Sequence, residues 1–168
     1  LLETLERYEL WDSIIDLSNT FYLEASDIPK EQRRRAVSLG LAYLATGNSD
    51  SLKGLAEEYQ KKHRVAEDAL KAFEMVSVEE GAENENEDEA ESEGEKEKEK
   101  EKAKLERQVK DVESTLQTLE CFLAILEKES ERASKVIGDL KGLNRTIKTR
   151  LWDWVGNLEA DEKRAEAD

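Results

Sequence analysis

The chain has 168 residues, of which 40% are charged and 6% aromatic, and its net charge is −15. This composition is typical of long, solvated helices and argues against a deep enzyme core. A single cysteine excludes an internal disulfide framework and favours a reducing compartment, either cytoplasmic or nuclear. No apolar run approaches the roughly 20 residues that a transmembrane helix needs. Because the sequence begins inside an apolar periodic stretch, we expect a fragment of a longer protein.

A first amphipathic helix is predicted over about 1–24. Its apolar face is broad enough to contact two neighbouring helices, as in a bundle. The positions on this face are Tyr8, Leu10, Trp11, Ile14, Ile15, Leu17, Phe21 and Tyr22. A turn follows at 26–29, and Pro29 suits the first position of the next helix.

The second and third helices are predicted over about 29–46 and 50–77. Gly47 is the residue expected at a left-handed C-terminal stop, and one of the three residues after it caps the third helix. The third helix has a ladder whose steps alternate between four and three residues. Its rungs are Leu52, Ala56, Tyr59, His63, Ala66, Leu70 and Phe73.

Residues 79–102 form an acidic segment with thirteen acidic side chains and four lysines. With almost no apolar residues to bury, the segment is predicted to be a disordered linker. Its Glu-Lys alternation over 95–102 places like charges four residues apart and opposite charges three apart, so the benefits to a helix largely cancel. We expect at most its last turn to join the following helix.

The most specific pattern is a second ladder with alternating steps of four and three. Its sixteen rungs are Leu105, Val109, Val112, Leu116, Leu119, Leu123, Leu126, Ser130, Ala133, Ile137, Leu140, Asn144, Ile147, Leu151, Trp154 and Leu158. Such a heptad seam predicts a helix that lies along other helices. Gly138 and Gly142 can divide it, but the ladder does not slip across them, so a continuous or gently bent helix is favoured. Residues 119–126 are apolar almost all round, which predicts that several helices enclose them.

Taken together, the patterns predict an all-α helical bundle with a long heptad (coiled-coil) helix and a disordered acidic loop. Residues 1–78 form a three-helix N-terminal part and 79–102 the acidic linker. Residues 103–160 form the long coiled-coil helix and 161–168 an acidic tail. The third helix is expected to pair antiparallel with about half of the long helix.

No residue pattern predicts a catalytic, cofactor or metal site. The only histidine, His63, is interpreted as a seam-edge residue, with a pH-sensitive contact as the alternative. Cys121 lies in the most apolar stretch and is interpreted as a packing residue. The acidic run lacks the glycine and the ordered spacing of a calcium-binding loop. The basic cluster of Lys30 and 33–35 is interpreted as a solvated face or a contact for acidic groups, and nucleic acid is not expected as a ligand.

Partner binding is instead predicted on the seam, because one hairpin is too short to cover it. The candidate residues are Leu116, Leu119, Leu123, Leu126, Ile137, Leu140, Asn144, Ile147, Leu151, Trp152 and Trp154. Trp154 fits the seam and Trp152 lies off it, where it suits either a partner hot spot or partial burial within the bundle. Asn144 either fixes the register of the seam or lies at a wet end of the bundle.

The leading functional hypothesis is a non-enzymatic coiled-coil scaffold subunit that assembles a multiprotein complex through helix–helix packing. Its partner would be another helical or coiled-coil chain or a second copy of itself. The alternative is a helical adaptor that binds a short peptide or helix in a groove formed by residues 1–78.

Overall fold

A computed structural model describes residues 1–26, 28–81, 91–140 and 143–165, without the side chains of 77–81 and 91–95. These ranges are all-α, as the sequence predicts, and contain seven α-helices and one 3-10 turn (Leu17–Asn19). The helices are α1 (Leu2–Arg7), α2 (Trp11–Asp16), α3 (Pro29–Thr46), α4 (Ser49–Gly81), α5 (Glu91–Leu126), α6 (Ser130–Asp139) and α7 (Arg145–Ala165). None of these described helices combines the length and the apolar character needed to cross a membrane.

Helix α3 begins and ends where the sequence predicts. Pro29 occupies the first helical position, and Gly47 ends the helix in a left-handed conformation with φ 70°. The Oδ1 of Asn48 then accepts a hydrogen bond from the backbone N–H of Ser51 at 3.1 Å, so Asn48 is the residue that caps α4. The two helices are also joined by the Tyr59 hydroxyl, which donates to the carbonyl of Gln32 at 2.7 Å.

The single helix predicted over 1–24 is wrong, because α1, α2 and the 3-10 turn divide that segment. Glu9, between α1 and α2, has a left-handed backbone with φ 56°. The break lets Leu2, Ile14 and Leu23 all enter the core. In one straight helix, with about 100° between successive residues, these side chains would point in three different directions. Four members of the predicted apolar face remain largely exposed, namely Tyr8, Leu10, Phe21 and Tyr22.

Helices α4 and α5 form the predicted antiparallel pair. Near one end, the Nζ of Lys53 lies 3.2 Å from the Oε1 of Glu127. Near the other end, the Nζ of Lys102 lies 3.0 Å from the Oε1 of Glu74. The residue numbers rise along one helix as they fall along the other, so the two helices run in opposite directions.

Both helices of this pair extend further into the acidic segment than the sequence predicts. Helix α4 continues to Gly81, and α5 begins at Glu91 instead of near Ala103. Glu and Lys are both good helix formers, and the contact of Lys102 with α4 shows that this part of α5 packs on a neighbour. Of the predicted disordered linker, residues 82–90 lie outside the described residues.

Three helices replace the continuous helix predicted over 103–160. The later interruption, between α6 and α7, follows Gly138, in the region where glycines allowed a break. The earlier one, at 127–129, has no glycine or proline to announce it. Because of these two reversals, α6 packs back against α5 and α7 packs against α6.

Lys128 ends α5 by a backbone geometry that glycine usually provides. Its N–H donates to the carbonyl of Ile125 at 3.1 Å, and its φ is 62°. The next N–H, from Glu129, donates to the carbonyl of Ala124 at 2.8 Å. This pair of bonds is the Schellman motif, and the same pattern ends α1 at Glu9 and α3 at its glycine.

The core is centred on α5, which contacts α3, α4, α6 and α7. Leu119, Cys121 and Phe122 have no exposed surface, which confirms the prediction that several helices enclose 119–126. On α3, a Cβ added to Gly40 would lie 2.7 Å from a Cδ atom of Leu119 and 2.9 Å from one of Phe122. The absence of a side chain at this position therefore sets how closely α3 approaches α5.

Substituting alanine for Gly40 is expected to lower the free energy of unfolding by about 1–3 kcal/mol, because overpacking outweighs the gain in helix propensity. The matched control is Gly54→Ala on α4, where an added Cβ meets nothing within 4 Å. The control is expected to raise the same quantity by about 0.5–1 kcal/mol. Urea titrations of both variants measure the difference, and equal shifts would contradict the close α3–α5 contact.

Replacement of Lys128 by glycine is expected to raise the free energy of unfolding by about 0.5–1 kcal/mol, because it relieves the left-handed backbone. Lys135→Gly, at an exposed position within α6, is the control and is expected to cost about 1 kcal/mol. Thermal or chemical denaturation compares the two. Destabilisation by both variants would show that Lys128 does not hold the left-handed conformation.

Candidate functional surfaces

The predicted partner-binding seam lies mostly within the fold of this chain. Its members on α5, α6 and α7 pack against one another because the two chain reversals bring these helices together. The buried candidates are Leu119, Ile137, Leu140 and Leu151. The half-buried candidates, packed against the core, are Leu116, Leu123, Leu126, Ile147 and Trp154. The exposed candidates are Asn144 and Trp152, the latter with 43% of its surface accessible.

The two polar rungs of the ladder have different positions. Asn144 is exposed, and its Oδ1 accepts a hydrogen bond from the N–H of Thr146 at 2.8 Å at the start of α7. Ser130 is buried, and its hydroxyl donates to the Oε2 of Glu162 at 2.7 Å. Asn144 therefore lies at a solvent-exposed end of the bundle, which is the second of its two interpretations. Ser130, in contrast, connects α6 to the far end of α7.

A cavity of about 440 Å³ opens where α2, α3, α5 and α7 meet. Most of its lining is apolar, and the two tryptophans Trp11 and Trp154 contribute to it. Among the residues that the structure describes, two non-glycine residues have left-handed backbones, Glu9 and Lys128, and both line this cavity. Because strained backbone positions cluster at binding sites, this cavity is a candidate binding site. Its lining suits a ligand that has an apolar group beside a charged one.

Arg150 of α7 holds one side of this region in place. Its Nη2 lies 3.2 Å from the Oε1 of Glu9, and its Nη1 donates to the carbonyl of Glu6 at 3.4 Å. Its guanidinium carbon lies 5.1 Å from the ring centroid of Trp11, a cation–π distance. One side chain thus connects α7 to α1, to the turn after it and to α2.

The distal part of the α4–α5 pair, which we call the arm, comprises residues 60–76 and 96–110. Of its side chains only Ala66 is buried. Leu70, Phe73 and the two α5 rungs at 105 and 109 are half-buried between the helices. Two helices alone therefore cover the internal ladder of the arm incompletely.

A second set of apolar residues lies along the outside of α4 in the arm. We call it the apolar stripe; its members are Val65, Ala69, Ala72, Met75 and Val76. The exposed fractions of Val65, Met75 and Val76 are 69%, 70% and 55%. The steps from 65 to 69, 72 and 76 again alternate between four and three. In the sequence this shorter pattern runs one residue before the ladder at 66, 70 and 73, which obscures it.

The single histidine and the single cysteine lie on neighbouring helices, His63 on α4 and Cys121 on α5. No group of three or more His, Cys, Asp or Glu side chains in the described part of the chain is arranged to hold a metal ion. The half-buried His63 places its Nδ1 3.8 Å from the Oε2 of Glu67, one turn along α4. Burial raises the pKa of the Cys121 thiol to about 12.

Two arginines of the basic cluster at the start of α3 have contacts within the chain. The Nη2 of Arg34 lies 3.9 Å from the Oε1 of Glu3, and the Nε of Arg35 donates to the carbonyl of Leu23 at 2.9 Å. These contacts tie α3 to the N-terminal segment that precedes it. Two of the three arginines of the cluster thus have partners within the chain.

Cys121 is expected to resist alkylation by iodoacetamide at pH 8 until the chain unfolds, because the reagent needs the thiolate. Burial raises the pKa of the Cys121 thiol from its ordinary value of 9.0 to about 12, so the folded chain keeps the thiol protonated at pH 8. The stability that the folded chain gains by burying the protonated thiol is complete below pH 9 and is lost as the pH rises through 12. The control is Cys121→Ala combined with Ala103→Cys, which exposes a thiol on α5. Equal labelling rates for the two folded proteins would refute the burial of Cys121.

Comparisons with known proteins yielded no protein-family model, no curated protein and no solved structure that matches the chain.

Proposed function

We propose that this chain is a non-enzymatic scaffold subunit that assembles a multiprotein complex through helix–helix packing. The observation that carries the proposal is the apolar stripe on the arm. Apolar residues that are exposed singly are common, but a row of them over three helical turns indicates a surface that another element covers. A cytoplasmic or nuclear location belongs to the proposal, since both compartments keep a lone thiol such as Cys121 reduced.

The geometry of the arm suits a third helix. Ala69, Ala72, Phe73 and Val76 stand in the relation i, i+3, i+4 and i+7, which is the set of four residues that forms a hole for a side chain of a facing helix. The two alanines at the centre leave room for a large aliphatic side chain, and the half-buried Phe73 forms the wall nearest α5. A third helix here would also contact Phe73, the half-buried member of the internal ladder that borders the stripe.

This proposal moves the expected interface from the long ladder to the arm. Most rungs between 116 and 154 are already covered by helices of the same chain, so they are not available to a partner while the fold is intact. The exposed Trp152 on α7 remains a separate candidate contact.

The adaptor alternative is favoured by the cavity that Trp11 and Trp154 line, which suits one apolar side chain of a bound peptide. In that case the groove is not formed by residues 1–78 alone. The cavities at Trp11, Tyr59 and Arg150 each combine side chains from the N-terminal part with side chains from 103–160. Such an adaptor would need both halves of the chain.

The test compares two alanine-to-glutamate variants of the full chain, Ala72→Glu in the apolar stripe and Ala103→Glu on the far face of α5. Both positions are exposed, so neither variant is expected to change the helix content or the melting temperature. When each protein is purified by affinity from an extract of the source cells, we expect Ala72→Glu to lose a stoichiometric helical partner that the original chain and Ala103→Glu retain. Light scattering gives the mass of each complex. A compact monomer without a partner, or retention of the partner by Ala72→Glu, would overturn the proposal.

A further inference from the structure

We infer that the apolar stripe binds an acidic amphipathic helix from another protein. This inference rests on the proposed scaffold function and adds the chemical class of the partner. It depends on the charges that surround the stripe.

One edge of the stripe is basic. At about 100° per residue, Lys61, Arg64, Asp68 and Lys71 all lie on the side of α4 that borders the stripe and faces away from α5. Three of these four side chains are cations. None of the three cations forms an ion pair with any residue that the structure describes. A partner helix with carboxylates along the facing edge would therefore meet a net positive charge, because Asp68 offsets only one of the three cations.

The arm is more basic than the rest of the protein, although the adjoining residues 77–81 and 91–95 of the same two helices add five acidic side chains and no basic one. Residues 60–76 and 96–110 contain eleven Lys and Arg against seven Asp and Glu, whereas the whole chain has 26 against 41. An acidic helix is therefore attracted to the arm and repelled by the remaining surface, which steers its encounter with the stripe.

The same charge distribution disfavours a second copy as the occupant. Two copies that paired stripe to stripe in antiparallel orientation would bring Lys61, Arg64 and Lys71 of one arm towards the same basic edge of the other. Like charges brought together at an interface oppose association and act against the wrong partner.

The length and shape of the stripe define the partner further. From Val65 to Val76 the stripe spans about 17 Å at roughly 1.5 Å per residue, so it matches about three turns of a partner helix. The small side chains of Ala69 and Ala72 at its centre favour Leu, Ile or Met on that helix. The expected partner sequence has such residues in steps of three and four, with Glu or Asp beside them.

The test uses the full chain and two synthetic peptides of 21 residues, each a helix with a leucine seam. One peptide carries Glu at the flanking positions and the other carries Lys there. Fluorescence anisotropy at 0.05 and 0.5 M salt measures the Kd of each. We expect the Glu peptide to bind more weakly at the higher salt concentration because screening reduces the charge attraction, and we expect no binding of the Lys peptide.

Two triple variants locate the attraction on the chain. Lys61→Glu/Arg64→Glu/Lys71→Glu is expected to weaken binding of the Glu peptide about tenfold and to allow binding of the Lys peptide, since each lost surface pair contributes modestly. The control is Lys104→Glu/Arg107→Glu/Lys110→Glu on the far face of α5, which has the same change in charge at exposed positions. It is expected to leave the Kd of the Glu peptide within about twofold.

Three results would overturn the inference: equal binding of the two peptides, equal weakening by the two triple variants, or a dimer of the chain alone that Ala72→Glu disperses. The proposed function fails separately. If Ala72→Glu releases the cellular partner while the reversal of Lys61, Arg64 and Lys71 does not, the scaffold function stands and the acidic class of partner is wrong.

Discussion

Because Gly40 has no side chain, the backbone of α3 comes close enough to α5 for Leu119 and Phe122 to lie directly against it. Helix α5 is apolar on most sides at this level, so it can be buried only if α3, α4, α6 and α7 all surround it. A larger residue at position 40 would push α3 away from α5. The cavity at Trp11 and Trp154 would then change as well, because α3 forms one of its walls.

Two of the breaks between helices, at Glu9 and Lys128, lie where the usual signals are missing. Glu9 and Lys128 adopt a left-handed backbone that costs about 1–2 kcal/mol per residue for side chains other than glycine. Both residues lie beside the same cavity. The conformations persist because the helices on either side are fixed by packing, and the strained turns place a carboxylate and an amine next to two tryptophans.

The sequence and the structure agree where a local rule and the packing require the same result. Pro29 and Gly47 bound α3 as predicted, and the apolar belt at 119–126 is enclosed as predicted. The breaks at Glu9 and Lys128 could not be predicted, since the packing of distant helices overrides the local preference at both residues. The ladder that α5 covers, through Ala66, Leu70 and Phe73, was predicted, whereas the apolar stripe one residue before it is a shorter pattern that the longer ladder obscures.

The contacts of Arg150 with Glu6 and Glu9 join residues that are more than 140 positions apart in the chain. During synthesis, α1 and α2 leave the ribosome long before α7 is translated. Until then Trp11 lacks its cation–π contact with Arg150 and the side of the cavity that Trp154 forms. Contacts this distant in sequence carry a large loop-closure entropy and slow folding. Until α7 has been translated, α1 and α2 therefore lack contacts that hold them in the folded chain.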